Sequence, residues 1–196
     1  MKISVILAHP NPQSFNHAIA YQATSGLKNL GHTVYCHDLY AEQFDPNLPY
    51  EEFGKGASLP DKIRQYCDEL TDSDGLVLVH PNWWGMPPAI LKGWVDRVIR
   101  PGVAYQFDEG DSGEGVPKGL LKIKAAVVLN TSDTSEEREN RVFGDPLETI
   151  WKNCILDFCG IQTFYRKIFR IVVTSTPEQR AAWLQDVDAL VQQVFC

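Results

Sequence analysis

The sequence predicts an α/β fold in which a doubly wound, five-stranded parallel sheet carries helices on both faces. Three short apolar runs are typical of strands buried on both sides: Ile3–Ala8, Gly75–Val79 and Ala125–Leu129. Segments with apolar residues at helical spacing alternate with these runs along the chain. Because strands that alternate with helices form parallel sheets, we expect this fold class.

Length and composition indicate one globular domain over residues 1–196. The chain is 44% hydrophobic and 22% charged, which is ordinary for a folded protein. Its net charge of -7 would repel a nucleic acid backbone, so we expect no nucleic-acid binding. No apolar stretch approaches the length of a membrane span or a secretory signal. We therefore expect a cytoplasmic protein with no membrane insertion.

The first helix is predicted between Ser14 and Gly31. Ser14 can cap the free amides at its start, and glycine is favoured just past a helix end. Thr33–Cys36 is the second predicted strand. In residues 39–59, prolines and glycines break any period, which predicts an ordered excursion rather than a linker.

The later elements follow the same alternation. Asp61–Leu70 and Pro87–Ile99 are predicted helices, the second with proline at its favoured first turn. Glycines and acidic residues in 106–119 predict a mobile surface loop. The remaining predicted elements are a helix over Pro146–Asp157, a last strand over Phe169–Val173 and a final helix over Pro177–Val194.

The five cysteines contain no C-x-x-C pair, which argues against a disulfide framework or a zinc ribbon. We expect most of them to be reduced, buried thiols, and we expect no metal site. They are Cys36, Cys67, Cys154, Cys159 and Cys196.

Ligands of doubly wound sheets bind beyond the carboxyl ends of the strands, and the segment after the first strand can hold a phosphate there. It has neither a dinucleotide fingerprint nor a P-loop. The free amides of Phe15, Asn16 and His17 at the helix start favour an anion, and Ser14 and His9 can add donors. An equally weighted alternative is that Ser14 only caps the helix and His9 is a satisfied loop histidine.

The segment after the third strand contains two adjacent tryptophans, Trp83 and Trp84. Adjacent residues cannot both face one core, so we expect one indole to meet a planar ligand or another subunit. Gly85 allows close backbone approach. The alternative, which composition alone slightly favours, is that both indoles pack against the following helix or a crossover loop.

These segments resemble a known family. The pair His9-Pro10 with Ser14-Phe15-Asn16, and the long block PNWWGMPPAILKGWVDRVIRPGVAY, are similar to the flavodoxin-like NAD(P)H:quinone oxidoreductases and the ancillary flavoproteins of potassium-efflux systems. The resemblance runs from Lys2 to about Gly160. It implies a flavodoxin-like fold, a homodimer, FMN or FAD as cofactor, NAD(P)H as hydride donor and a quinone-like acceptor.

The resemblance also implies a set of cofactor-binding residues. The phosphate and ribityl chain would lie at His9, Ser14, Phe15 and Asn16, the ring against Pro81, Asn82, Trp83, Trp84 and Gly85, and its far edge near Asn130, Thr131, Ser132 and Asp133. Tyr105 and Phe107 are further candidates that would close over the substrate.

The chain departs from the family after the fourth strand. The family has Thr-Thr-Gly-Gly where this chain has the glycine-free stretch Asn130–Thr134, followed by the charged run Glu136–Arg141. A side chain at either glycine position would narrow the pocket or change the φ angles of the loop. Asp133 would disfavour an anionic reduced flavin if its side chain faced inward. Glu137 and Phe143 replace a Tyr and a His that assist proton movement in the mammalian enzymes, so catalytic residues stay unassigned.

The leading hypothesis is therefore a two-electron flavoenzyme in which NAD(P)H and a quinone use one site in turn. The alternative is a regulatory flavoprotein that reports redox state to a partner such as a potassium-efflux transporter. A third possibility is a protein that kept the fold and lost the cofactor; it would be colourless.

Overall fold

A computed structural model describes residues 1–54, 56–110 and 115–196 of the chain. Its strands are β1 (Lys2–Leu7), β2 (Thr33–Asp38), β3 (Gly75–Pro81), β4 (Tyr105–Gln106), β5 (Lys118–Gly119), β6 (Ala125–Ser132) and β7 (Phe164–Arg170). Five of them form a parallel sheet in the order β2-β1-β3-β6-β7, and β4 pairs with β5 in a separate antiparallel ribbon. This architecture confirms the predicted fold class.

Six helices accompany the sheet in the described residues: α1 (Phe15–Asn29), α2 (Asp61–Asp72), α3 (Ala89–Val98), α4 (Glu136–Arg138), α5 (Pro146–Glu148) and α6 (Pro177–Phe195). α4 continues as a π-helical segment, Glu139–Phe143. α5 continues as a longer π-helical segment, Thr149–Leu156, and ends in a 3-10 turn, Asp157–Cys159. A further 3-10 turn spans Tyr50–Glu52. Among the described residues, no helix combines the length and the apolar character that crossing a membrane requires.

The central strands are buried on both faces, as their unbroken apolar sequences predict. In β3, Leu76 and Leu78 pack into one core layer, whereas Val77 and Val79 pack into the other. α2 and α3 cover the first layer, and α1 and α6 cover the second. Each such side chain contributes about 1.5–3 kcal/mol when fully buried. The sheet therefore holds the ends of β1, β3 and β6 in a fixed arrangement.

The segment between β2 and α2 is held by buried ionic contacts, as expected for an ordered excursion. The Arg97 Nε of α3 donates to Glu52 Oε2 over 2.9 Å, and Arg97 Nη1 donates to the Asp45 carbonyl over 2.6 Å. Arg97 and Glu52 are both buried. The described part of the excursion is thus fastened to α3.

The predicted position of the last strand is wrong. β7 begins at Phe164 and ends at Arg170, whereas Phe169–Val173 was the predicted strand. β7 is an edge strand whose residues are mostly half-buried, so it tolerates charged side chains that obscure a strand pattern. The more apolar Ile171 and Val173 are exposed instead.

The prediction of a loop throughout 106–119 is also wrong at both ends. Gln106 pairs with Lys118, and Tyr105 pairs with Gly119, because β4 and β5 form a short antiparallel ribbon. The predicted mobility of residues 111–114 falls outside the described residues.

Three of the five cysteines are exposed, which corrects the expectation that most are buried. Cys36, Cys154 and Cys196 are exposed, and Cys67 and Cys159 are buried. Burial raises the pKa of the Cys67 thiol to about 11. This thiol is therefore protonated near neutral pH and is a poor nucleophile.

Candidate active site

The start of α1 lies directly after β1 and offers unpaired donors. The Ser14 hydroxyl oxygen accepts a hydrogen bond from the His17 amide over 3.4 Å and so caps the helix. The His17 amide, which was expected to be free, also donates to the Ser14 carbonyl over 3.1 Å, so this expectation is wrong. Within the described residues, the amides of Phe15 and Asn16 make no hydrogen bond. Such free amides, at the positive end of a 15-residue helix, favour an anion.

The same hydroxyl belongs to a three-residue hydrogen-bonded chain. Ser14 Oγ lies 2.9 Å from His17 Nδ1, and His17 Nε2 lies 2.9 Å from Asp38 Oδ2. A neutral imidazole satisfies this arrangement when Nε2 donates to the carboxylate and Nδ1 accepts from the serine hydroxyl. Asp38, at the end of β2, thereby orients His17 and, through it, Ser14.

His9 connects the segment after β1 with the turn after β3. Its ring centroid lies 6.0 Å from that of Trp83. His9 Nδ1 accepts from the Asn11 amide over 3.1 Å, so in the neutral ring Nε2 carries the proton and can donate. Burial lowers the pKa of His9 and a nearby His17 lowers it further, whereas the bond from Asn11 opposes them.

Asn16, in the segment after β1, contacts the end of β6. Its Nδ2 donates to Thr131 Oγ1 over 2.9 Å, while its Oδ1 is buried without a hydrogen-bond partner in the described part of the chain. A buried acceptor left unpaired costs about 1–3 kcal/mol. A ligand that brings a hydroxyl or an N–H to this edge would satisfy it.

The two tryptophans lie in a tight turn after β3. The backbones of Trp83 and Met86 exchange two hydrogen bonds of 3.0 Å each, and Trp84 and Gly85 both have positive φ angles, 58° and 73°. The Trp84 side chain is fully exposed and the Trp83 side chain is 40% exposed. Neither indole therefore packs in the core, contrary to the alternative that composition favoured.

Asn82 holds this turn by three hydrogen bonds. Its backbone N–H donates to the Thr131 carbonyl over 2.7 Å, and its side-chain oxygen accepts from the Gly85 backbone N–H over 2.9 Å. Its Nδ2 donates to Glu139 Oε1 over 3.1 Å. Glu139 is only 2% exposed, so a buried carboxylate lies directly beside the turn.

A cavity of about 600 Å³ opens beside the turn and Glu139, within the size range of small-molecule sites. Aromatic side chains form part of its wall and one cation lies on it. Its lining includes Trp84, Gly85, Arg138, Glu139, Phe143 and Pro146. A Cβ on Gly85 would lie 2.6 Å from Pro146 Cγ, so glycine is required for this close approach.

Asn130–Ser132 lie inside β6 and not in a loop that follows it. The predicted end of this strand at Leu129 is therefore wrong. Asn130 and Thr131 continue β6 because they pair with β3 on one side and β7 on the other, and Ser132 pairs with Arg170 of β7. All three are buried. Pro81, the partner of Thr131 in the register, is buried at the end of β3.

Asp133 does not face inward. Its Oδ1 accepts from the Val173 amide over 2.8 Å, and the residue is exposed. The expected disfavouring of an anionic reduced flavin by this carboxylate therefore does not apply. Glu139 is the carboxylate that lies beside the Trp83–Gly85 turn.

Sequence reasoning missed the residues after β6 that complete the site. Arg138 and Glu139 lie in the charged run Glu136–Arg141, for which the sequence alone predicts no role in the site, and the segment folds as α4 and a π-helix. Below it, the buried Arg166 of β7 donates to both carboxylate oxygens of Asp145, at 2.7 and 2.8 Å, and to Asn130 Oδ1. The one available signal was the position of the charged run directly after a buried strand.

His80 anchors the end of β3 beneath the site. Its Nε2 accepts from the indole Nε1 of Trp151 over 2.9 Å, and its Nδ1 donates to the Pro81 carbonyl over 2.8 Å. Complete burial lowers the pKa of His80 to about 4. The ring is therefore neutral near pH 7, and its role is to hold the strand end.

Known proteins resemble this chain in sequence and in fold. A family model described as the flavodoxin-like fold matches residues 1–194. An uncharacterized NAD(P)H oxidoreductase of Haemophilus influenzae is 32% identical over 185 residues, 92% of this chain and 89% of that protein. The ribosyldihydronicotinamide dehydrogenase [quinone] of Homo sapiens is 29% identical over an alignment of 216 positions, which covers 96% of this chain and 91% of that protein.

A solved structure agrees with these matches. The NAD(P)H:quinone oxidoreductase from Methanothermobacter marburgensis superposes with a TM-score of 0.85 at 27% identity, covering 99% of this chain and 96% of that one. The match to the family model spans nearly the whole chain. This chain therefore belongs to the family of proteins with the flavodoxin-like fold.

Proposed function

We propose that this protein is a flavin-dependent oxidoreductase that transfers two electrons from NAD(P)H to a quinone. One observation carries the proposal: the free amides that begin α1 and the Trp83–Gly85 turn lie at the same edge of the sheet, with His9 against Trp83. This edge has an anion site next to an exposed indole, which is what a phosphorylated planar cofactor requires. The names of the relatives and of the M. marburgensis structure support the same activity.

The residues present fit a flavin, as FMN or FAD. The free amides of Phe15 and Asn16 would hold its phosphate and ribityl chain. The Ser14 hydroxyl would turn from His17 Nδ1 to donate to the phosphate, and His9 Nε2 would be a further donor. Asn16 Oδ1, buried and without a hydrogen-bond partner among the described residues, would accept from a ribityl hydroxyl. Asn82, Trp83 and Gly85 would bind the ring, and a bound flavin supplies the hydride-transfer chemistry.

The protein's own contribution is orientation and electrostatics. Asn82 fixes the turn that presents the ring-binding backbone, and Glu139 fixes the amide of Asn82. Trp84 and Phe143 offer flat apolar surface in the adjoining cavity for a nicotinamide or a quinone. Because Trp84 and Phe143 line the same cavity, we propose that the electron donor and the acceptor occupy it one after the other.

The test is turnover by the purified protein reconstituted with FMN or FAD. We expect rapid NAD(P)H oxidation that depends on both a flavin and a simple quinone such as menadione. Extraction and chromatography of the bound cofactor then distinguish FMN from FAD. Protein that neither binds flavin nor gains thermal stability from it would contradict the proposal.

A regulatory flavoprotein is the second candidate, and one observation favours it. The positions of the family's proton-moving pair hold Glu137, which is exposed and paired with Arg141, and Phe143, which has no transferable proton. A sensor would bind flavin and NAD(P)H but oxidise NAD(P)H only slowly with a quinone. The same assay therefore separates the two candidates.

We also propose a homodimer, supported by an exposed aromatic surface. Phe107 and Phe158 are 42% and 37% exposed and stack edge to face with Tyr105. Phe53, 74% exposed, shares a second cavity with Tyr105. Exposed apolar patches of this kind mark interaction surfaces. Light scattering of the wild type and F158D tests this, with a dimer that F158D weakens as the expected result.

We propose the cytoplasm as the compartment. All five cysteines are free in the structure, as in a protein that functions under reducing conditions.

A further inference from the structure

Arg138 is a cation without an ionic partner on the wall of the cavity. Within the described residues, its guanidinium makes no hydrogen bond and no ion pair, and its Cζ lies 5.2 Å from the Phe143 ring centroid. Arg141, in the same helical run, behaves differently because its Nη1 pairs with Glu137 Oε1 over 2.9 Å. The two arginines therefore offer a direct comparison of an unpaired and a paired cation.

The acidic residue in the cavity does not neutralise Arg138. Glu139 accepts from Asn82 Nδ2 and forms no ion pair with Arg138 in the described structure. Glu139 is 2% exposed, whereas Arg138 is exposed. An anion that enters the cavity therefore meets the guanidinium at its surface, while the carboxylate stays covered.

The rest of the wall suits a planar molecule. The Trp84 side chain is fully exposed, and Phe143 is 47% exposed beneath the guanidinium. A planar ring can stack on this apolar surface while a charged substituent binds the guanidinium, which is the geometry that arginine favours for carboxylate, sulfonate or phosphate groups.

We propose that Arg138 is a specificity-determining residue that selects planar reactants carrying an anionic group. This inference rests on the proposed function and deepens it. The shared chemistry is an oxyanion attached to an aromatic ligand, and it has two sources: the phosphates of NAD(P)H or an acidic substituent on the acceptor. Arg138 binds such a group and takes no part in the electron transfer itself.

The experiment compares R138A, R138K and the control R141A with the wild type on matched reactants. The acceptors are menadione, which is uncharged, and 1,2-naphthoquinone-4-sulfonate. The donors are NADH and dihydronicotinamide riboside, which has no phosphate. For at least one of the charged reactants, R138A is expected to raise KM about 3- to 10-fold more than for its uncharged counterpart, with kcat changing little.

Three further results are expected. R138K recovers part of the loss because it keeps the charge, and added salt reduces the difference between wild type and R138A. R141A leaves the ratio of charged to uncharged KM as in the wild type. If R138A changes the ratio of charged to uncharged KM for the two donors, the anion belongs to NAD(P)H. If it changes that ratio for the two acceptors, the anion belongs to the acceptor. Equal changes for charged and uncharged reactants in both pairs, or the same selectivity loss in R141A, would overturn the assignment.

A binding measurement separates this inference from the proposed function. Calorimetry with naphthalene-2-sulfonate and 2-naphthol requires no turnover. Weaker binding of the sulfonate alone to R138A supports the anion site even if no quinone is reduced, in which case the proposed function fails by itself. Equal binding of the sulfonate to wild type and R138A overturns the inference, whatever the turnover assay shows.

Discussion

The side-chain amide of Asn82 donates to the buried carboxylate of Glu139 over 3.1 Å and ties the turn after β3 to the helical segment after β6. Replacing Glu139 therefore changes the site through Asn82. E139L removes the acceptor. A hydrogen bond to a charged group contributes about 1.5–3 kcal/mol, and because this one acts on the flavin only through Asn82, we expect part of it to appear as a loss of flavin affinity of about 3- to 10-fold.

E139Q is the matched control for this change. Its side-chain oxygen can still accept from Asn82, so flavin affinity should stay within about twofold of the wild type. Fluorescence titration with FMN and FAD measures both variants. Equal losses in E139Q and E139L would show that the negative charge, and not the hydrogen bond, is what matters.

Gly85 is expected to be intolerant of even a methyl group. G85A combines a positive φ of 73° with a Cβ that would lie 2.6 Å from Pro146 Cγ, so the turn or Pro146 must shift. G31A is the control, because Gly31 has a φ of 81° but no atom near its Cβ position. G31A should cost about 1–2 kcal/mol of unfolding free energy with normal flavin affinity. G85A should lose flavin affinity as well; normal affinity in G85A would contradict the assignment of this turn.

The lowered pKa of His80 predicts that the folded protein loses stability in acid. Its folded-state pKa of about 4 lies below the ordinary 6.5, so as pH falls the unfolded chain binds this proton first. The stabilisation is complete above about pH 6.5 and is lost as pH falls towards 4. The full difference is about 3 kcal/mol.

The test of this prediction compares wild type with H80Q, which keeps a donor and an acceptor but does not titrate. Urea unfolding at pH 7, 6 and 5 should show a smaller decline of unfolding free energy in H80Q. Parallel declines would mean that carboxylates alone account for the acid sensitivity.

The Arg97–Glu52 pair is expected to be essential for stability. Both side chains are nearly fully buried. E52A would leave the buried Arg97 charge with only the Asp45 carbonyl and the exposed Asp45 carboxylate, whose Oδ2 lies 3.9 Å from Nη1. We expect a loss of about 3–5 kcal/mol in unfolding free energy. K92A, which breaks the exposed Lys92–Asp96 pair of the same helix, should cost less than about 1 kcal/mol. Similar costs in the two variants would contradict the role assigned to burial.

Most of the fold could be predicted because its signals are local. Continuous apolar runs located β1, β3 and β6, and Ser14 and Gly31 marked the two ends of α1. The edge strand β7 was misplaced because its charged side chains are allowed by partial exposure. Edge strands carry less of the buried pattern on which such predictions depend.

The residues of the candidate site that lie in loops directly after strands could be predicted from the sequence. The residues that reach the site only through tertiary contacts could not. The start of α1 and the two tryptophans were identified from local sequence. Glu139 and Arg138 were not, because a charged run normally indicates a solvated helix face. Only the packing of that run against Asn82 and Phe143 gives these residues a place in the site.

Anaerobic titration of the flavin-reconstituted protein tests the central claim most directly. Stoichiometric NAD(P)H should bleach the visible absorption of the bound flavin, and one equivalent of quinone should restore it. S14A should bind the flavin more weakly while it still folds. Flavin that binds but is not bleached by NAD(P)H, or that stays bleached when quinone is added, would contradict the account.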